Sequence, residues 1–265
     1  MTNLLVRPKA PDETGCIQRV TPASAGWTHV GFGVYRLGPG QPLVQETEER
    51  EACIVMLSGR AAVEAGGEAF GTIGGRASPF EPDPWSLYVP ARSRFAVRSE
   101  GPCEIAVCTA PAAGRLPARV IRPDQVGQEV RGRGTNTRHV RNILPETAQA
   151  ENLLVVEVIT PSGHWSSYPP HKHDRDALPE ESQLEETYYH RLNPPQGYAV
   201  QRVYTDDHSI DETMAVNDGD VVLVPRGYHP VGAAHGYDLY YLNVMAGPKR
   251  VWRFQNDPKH AWLLA

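Results

Sequence analysis

The sequence predicts an all-β protein made of two tandem copies of one β-unit. Three observations carry this. The chain has 24 glycines and 24 prolines in 265 residues, well above the ordinary share of roughly 12 %. So many turn formers imply short strands and few long helices. The apolar stretches are strand-sized, rich in β-branched and aromatic residues and bounded by Gly or Pro, and nowhere does helical periodicity last three turns. The two halves also share a layout: an acidic residue opens a strand, a turn follows, and a strand ending in V-P-x-x comes about 35 residues later.

In chain order the first half offers strands at HVGFGVYRL (29–37), CIVMLSGRAAVEA (53–65), SLYVPA (86–91) and CEIAVCTA (103–110). The second half offers NLLVVEVITP (152–161), EETYYHRL (185–192), YAVQRVYT (198–205), DVVLVP (220–225) and DLYYLNVMAG (238–247). Glu51 opens the repeated unit in the first half and Glu185 in the second. The polar, glycine-rich stretch 120–139 is the expected join, giving domains at 1–122 and 123–265. Within it, RGRGTNTRHV (131–140) lacks the G-x4-G-K-[ST] order of a phosphate loop and reads as a solvated linker.

Charge and composition exclude several classes. With 31 acidic and 26 basic residues the net charge is −5, which disfavours a nucleic-acid binder; no helix-turn-helix pattern is present either. Hydrophobic residues at 40 % suffice for a core. No run of about 18 apolar residues offers a membrane span, and MTNLLVRPKAPDETG lacks the apolar stretch of a secretory signal. Cys16, Cys53, Cys103 and Cys108 form no CxxC pair and read as reduced thiols of a cytoplasmic protein. There is no G-x-S-x-G nucleophile elbow.

The histidines carry the functional signal. Nine of ten lie at or after His139, so the second copy is expected to hold the site and the first to be structural. In YPPHKHD, His171 and His173 are two apart, and in a strand they share a face. Lys172 then points away. Two imidazoles side by side, a carboxylate from the strand opened by Glu185 and Glu186, and His229 from VPRGYHP make a set able to hold a divalent metal. Such a site leaves open positions for substrate or water.

These residues resemble the two cupin motifs: His-x-His followed by Glu, then GDVVLVPRGYH (219–229), close to G-x5-P-x-G-x2-H with one residue fewer before the histidine. The wider wording is more specific. PPHKHD, LEETYYHRLNPPQGYAVQRVYTDD, VPRGYHPV and GYDLYYLNVMAGPKRVWRFQNDPKHAWL closely resemble the 5-deoxy-glucuronate isomerase family, bicupins of the KduI/IolB type acting in myo-inositol catabolism. The resemblance covers most of 139–265 and, more loosely, GWTHVGFGVYRL and GRAAVEAGG. It implies two cupin-like barrels and a divalent metal (Zn, Mn or Fe) on His171, His173, Glu185 and His229. Eleven residues, DRDALPEESQL, separate His173 from Glu185 where cupins use three or four, so Glu186 is the alternative carboxylate. The first copy has VQE (44–46) in place of His-x-His and PARSRF without a histidine, and should bind no metal.

The resemblance further implies conversion of an aldose uronate, 5-deoxy-D-glucuronate, to the ketose 5-dehydro-2-deoxy-D-gluconate. The carbonyl moves from C1 to C2 through an enediol or a hydride shift. Acid or base candidates are Tyr188, Tyr189, Tyr204, Tyr240 and His190. The substrate carboxylate needs a cation, for which Arg202, Arg141 and Arg226 are candidates. Trp165, Trp252 and Trp262 are expected to pack or to line the subunit surface. The partner is a small sugar acid, with no nucleic acid or membrane, and the sheet edges favour a homo-oligomer. Two other readings share the ligand set: an Fe(II) dioxygenase, and a sugar-binding cupin without turnover.

Overall fold

A computed structural model describes residues 3–81 and 84–264; the outermost residues of the two expected domains lie outside this range. The chain forms two compact units. One comprises Pro8–Gly127 with Asn142–Val155; the other comprises the N-terminal segment through Arg7, Gln128–Arg141 and the chain from Val156 onward. Strands dominate both. Among the described residues the α-helical segment is the single turn Pro22–Ala25, and no helix is long and apolar enough to cross a membrane.

The first unit packs a six-stranded sheet against a four-stranded one. The strand order is Arg119–Ile121, Ser86–Val89, Arg50–Ser58, Cys103–Pro111, Gly31–Leu37, Cys16–Val20 in the larger sheet. The smaller runs Pro42–Glu46, Arg94–Ser99, Arg60–Ala65, Glu68–Gly74. The pairings are antiparallel throughout. The expected strand 53–65 is two strands, broken at Gly59. That glycine has φ +78°, and a Cβ there would lie 2.5 Å from Cys103 Cβ and from the Pro102 carbonyl oxygen, so only glycine turns the chain.

Alternate residues of the facing strands, such as Ile54, Met56, Val89, Ile105, Val63, Phe95 and Val97, fill the interior between these sheets. It is an apolar core, and among the described residues no group of metal-ligating side chains gathers there. All four cysteines are buried and free, and burial pushes the Cys53 thiol up to about 12, which makes it inert.

Glu51 faces away from that core. Its carboxylate accepts the backbone N–H groups of Glu151 (2.8 Å), Asn152 (2.6 Å) and Leu153 (2.6 Å) and the Tyr88 hydroxyl (2.6 Å). It anchors a loop. Removing it strands several buried donors, so Glu51→Ala is expected to cost about 3 kcal/mol in urea unfolding while metal content per chain stays unchanged. Loss of metal in that variant would mean that the structural and metal-binding copies are assigned the wrong way round.

The second unit repeats the plan. Its large sheet runs Leu5–Val6, Val221–Val224, Glu185–Asn193, Asp238–Ala246, Leu154–Thr160, Arg138–Leu144, Gly127–Arg131; the small one runs Trp165–Ser166, Val231–Ala233, Ala199–Tyr204, Asp211–Val216. The expected linker 131–140 is thus no loose join. It closes one strand, makes a 3-10 turn at Gly134–Asn136 and opens the next.

Candidate metal centre and active site

His171 and Lys172 form a two-residue strand paired with Gln255–Asn256, and His173 follows, its carbonyl held by the Leu184 N–H at 2.9 Å. The two-residue period puts both imidazoles on the inner side. Lys172 turns the other way, to Asp206 (2.6 Å) and Asp174 (3.2 Å).

His229 is aimed by Gly227. A Cβ at that residue, which has φ +92°, would lie 2.4 Å from the Tyr204 carbonyl oxygen. The close approach lets Tyr228 and Tyr204 exchange two backbone hydrogen bonds, 2.9 and 2.7 Å. Those bonds fix the next residue pointing inward.

The three imidazoles converge. Ring centroids lie 6.2 Å apart for His171–His173, 4.9 Å for His171–His229 and 5.0 Å for His173–His229. One nitrogen from each falls within 4.8 Å of the others, and all three residues are buried.

The carboxylate that meets them is Glu186, not Glu185. Glu186 Oε2 lies 3.1 Å from His173 Nε2 and 3.2 Å from His229 Nε2. Strand alternation decides this: Glu186, Tyr188 and His190 face inward, whereas Glu185, Thr187 and Tyr189 face the opposite side. The repeat explains the slip. Glu51 sits opposite Ala110 and Glu185 opposite Ala246, while Ala52 sits opposite Val89 and Glu186 opposite Val224. Glu51 therefore corresponds to Glu185, and the inward position of the first unit holds Ala52.

The donor set fits a divalent cation. His173 Nδ1 contacts the Leu184 carbonyl at 3.2 Å and His229 Nδ1 contacts the Gly227 carbonyl at 2.9 Å. If Nδ1 carries the proton in each, both Nε2 atoms are left facing Glu186, the orientation metal-binding imidazoles take. His229 Nε2 is buried and makes no hydrogen bond among the described residues. Burial, with His229 and His173 alongside, holds the His171 pKa well below its usual value, and burial brings His229 down to about 4 despite Glu186. Both are neutral at pH 7, as ligands must be. For His173 burial is outweighed by the hydrogen bond and charge of Glu186, so its pKa is raised. A proton on that histidine occupies the space a cation would take.

Of the acid or base candidates, only Tyr188 lines the chamber beside the histidines, with Arg138, Tyr241 and Asn243. Its ring centroid is 5.7 Å from that of His229, and its hydroxyl is 2.8 Å from Ser167 Oγ. Tyr189 is buried on the other face of the strand. Tyr204 donates to Asp257 (2.8 Å) and Tyr240 to Glu157 (2.9 Å). His190 stacks behind Tyr188, with ring centroids 5.9 Å apart, and its Nε2 is 2.9 Å from Gln201. Burial brings it down to about 4, so it is neutral.

None of the three candidate arginines reaches the chamber. Arg202 pairs with Asp211 (2.7 Å), Arg141 with Glu157 (2.8 Å), and exposed Arg226 donates to Ser209 (2.9 Å). Arg138 and Arg131 stand there instead. In the sequence their segment reads as a linker, whereas Arg131 ends one strand and Arg138 opens the next. The polar Asn243 inside an otherwise apolar strand was a signal for the interior of the site. Trp262 is exposed and Trp165 partly so, while Trp252 lines the chamber under Arg131. A cleft of about 430 Å³ opens beside it, bordered by Arg138, His171, Phe254 and Leu264, within the size range of small-molecule sites.

A sequence model described as the KduI/IolB family matches residues 4–263. The chain belongs to the KduI/IolB family. Among KduI/IolB relatives, the 5-deoxy-glucuronate isomerase of Geobacillus kaustophilus is 57 % identical over 265 residues, covering 100 % of this chain and 96 % of the relative. The protein of the same description from Bacillus subtilis strain 168 is 48 % identical over 269 residues, covering 100 % and 99 %. A crystal structure of an IolB-like protein from Salmonella typhimurium LT2 superposes with a TM-score of 0.96 at 52 % identity, covering 99 % of this chain and 100 % of that one. Oxalate decarboxylase from Lactobacillus farciminis matches with a TM-score of 0.67 at 14 % identity, over 98 % and 90 %. That distant likeness concerns the fold alone, the bicupin arrangement expected from the sequence.

Proposed function

We propose that this chain is a 5-deoxy-glucuronate isomerase whose divalent cation is held by His171, His173, Glu186 and His229. The observation that carries the activity is the full-length likeness, at 57 % identity, to the isomerase of Geobacillus kaustophilus. The convergence of three histidines and one carboxylate at a cleft supports the ligand set.

The reaction breaks the C2–H and O2–H bonds, forms C1–H and O1–H bonds and shifts the carbonyl from C1 to C2, with no atom gained or lost. A divalent cation in this set would polarise the C1 carbonyl and the C2 hydroxyl. Glu186 supplies the negative charge that makes the set a cation site. The carbonyls of Leu184 and Gly227 orient two of the imidazoles. Burial raises the Tyr188 and Tyr241 phenols, so both remain O–H groups at neutral pH. They are hydrogen-bond donors to sugar oxygens rather than bases. Ser167 and Ser166 hold these two hydroxyls in place, the latter through a short contact with Tyr241. His190 packs behind the lining, against Tyr188 and Tyr241, and positions both from there. The four buried thiols suit a reducing, cytoplasmic setting.

The test is proton NMR of 5-deoxy-D-glucuronate incubated with the protein in D2O. The ketose signals are expected to appear. Deuterium at C1 of the product indicates an enediol and an exchanging base; protium there indicates direct or shielded transfer. No conversion by metal-loaded protein would overturn the proposal.

A further inference from the structure

The chamber contains a cation that the metal centre does not need. Arg138 opens the strand Arg138–Leu144 and borders both the outer cleft and the chamber beside His171 and Glu186. Its guanidinium donates to two neutral acceptors, the carbonyls of Asn136 (3.1 Å) and Tyr168 (3.3 Å). Among the described residues no carboxylate forms an ion pair with it. Arg131 lies on the same wall, its guanidinium 5.0 Å from the centroid of the Trp252 ring and its charge shared with Glu129 at 2.6 Å.

A half-buried guanidinium with a second arginine lining the same chamber is unfavourable unless an anion meets it. Burial holds its pKa down, Arg131 adds to that in a smaller measure, and Tyr241, Tyr188 and Glu129 act the other way. An anion entering from the cleft of about 430 Å³, whose lining includes both Arg138 and His171, relieves that cost. A uronic acid has that form: its C1 and C2 oxygens belong at the histidines and its carboxylate lies at the far end of a short carbon chain.

We propose that Arg138, with Arg131 beside it, is the carboxylate subsite that selects aldose acids over neutral aldoses. This rests on the isomerase reading above. Planar guanidinium recognition of carboxylate, with Asn136 and Tyr168 carbonyls fixing the plane, suits a specificity device.

The test compares wild type, Arg138→Lys and Arg138→Met on 5-deoxy-D-glucuronate and on its methyl ester, which keeps the aldehyde and loses the charge. Arg138→Met is expected to lower kcat/KM for the acid on the order of 100-fold, mainly through KM, and to leave the ester within about threefold, inside the scatter expected of a change at a group the ester does not engage. Arg138→Lys should recover part of the loss. Equal losses on acid and ester, or no loss on the acid, would overturn the subsite.

Calorimetric binding of the unreactive acid made by reducing the C1 aldehyde reads the subsite without turnover. It separates the two claims: binding that depends on Arg138 without isomerisation refutes the activity and keeps the subsite. Binding that ignores Arg138 refutes the subsite whatever the activity. Metal content and thermal unfolding of each variant show whether the fold survives, and if Arg138→Met does not fold, Arg138→Lys and Arg131→Met carry the comparison.

Discussion

His229→Ala is expected to lose its metal and to lower isomerase activity by about 1,000-fold or more. The imidazole is fully buried, lies within 5.7 Å of three other rings that line the site and contacts Glu186 and the Gly227 carbonyl. Its removal takes away one of three nitrogens and leaves Glu186 short of a partner. The backbone there is held independently by the paired hydrogen bonds of Tyr204 and Tyr228. The fold should therefore survive with a loss of about 1–3 kcal/mol. Metal analysis and far-UV circular dichroism on the same sample check both halves. Metal content near one per chain with retained turnover would remove His229 from the ligand set.

The second large effect separates two adjacent glutamates. Glu186→Gln keeps the side-chain shape and removes the charge against which His173 and His229 are set. Metal affinity should fall at least about 100-fold, with turnover falling in step. The loss of that charge also lowers the His173 pKa, which Glu186 holds up. Glu185→Gln, one residue away on the opposite face, should keep metal and activity near wild type. Metal titration of both variants by calorimetry decides the matter. Loss in Glu185→Gln with retention in Glu186→Gln would mean that the strand register in solution differs by one.

This pair also shows what could be read in the sequence. The strands at 31–37, 103–111, 185–193 and 238–246 were legible because β-branched and aromatic runs end at turn formers. The three histidines were legible because His-x-His forces a shared face and the glycine of PRGYH fits a turn. The sequence does not decide between Glu185 and Glu186, because a strand slip of one residue leaves the same letters and reverses every side chain. Matching Glu51 to Glu185 was correct as a repeat alignment, yet both residues face away from their interiors. The candidate arginines failed for a related reason. Arg202 sits mid-strand in the sequence, but it lies at a surface-facing position where Asp211 across the strand pair meets it. Arg138 looked solvated because its neighbours are glycines and polar residues. Only the sheet order brings the end of that segment beside a histidine far along the chain.

On the proposed ligand set, one cation held by His171, His173, Glu186 and His229 enables the isomerisation. The most direct measurement is turnover of 5-deoxy-D-glucuronate by protein stripped of metal with a chelator, exchanged into metal-free buffer, and titrated with Mn(II) and separately with Zn(II). The predicted result is loss of activity on stripping, with circular dichroism unchanged, and recovery that saturates at one equivalent per chain for at least one of the ions. Full activity in the stripped protein, with metal absent by elemental analysis, would contradict the account.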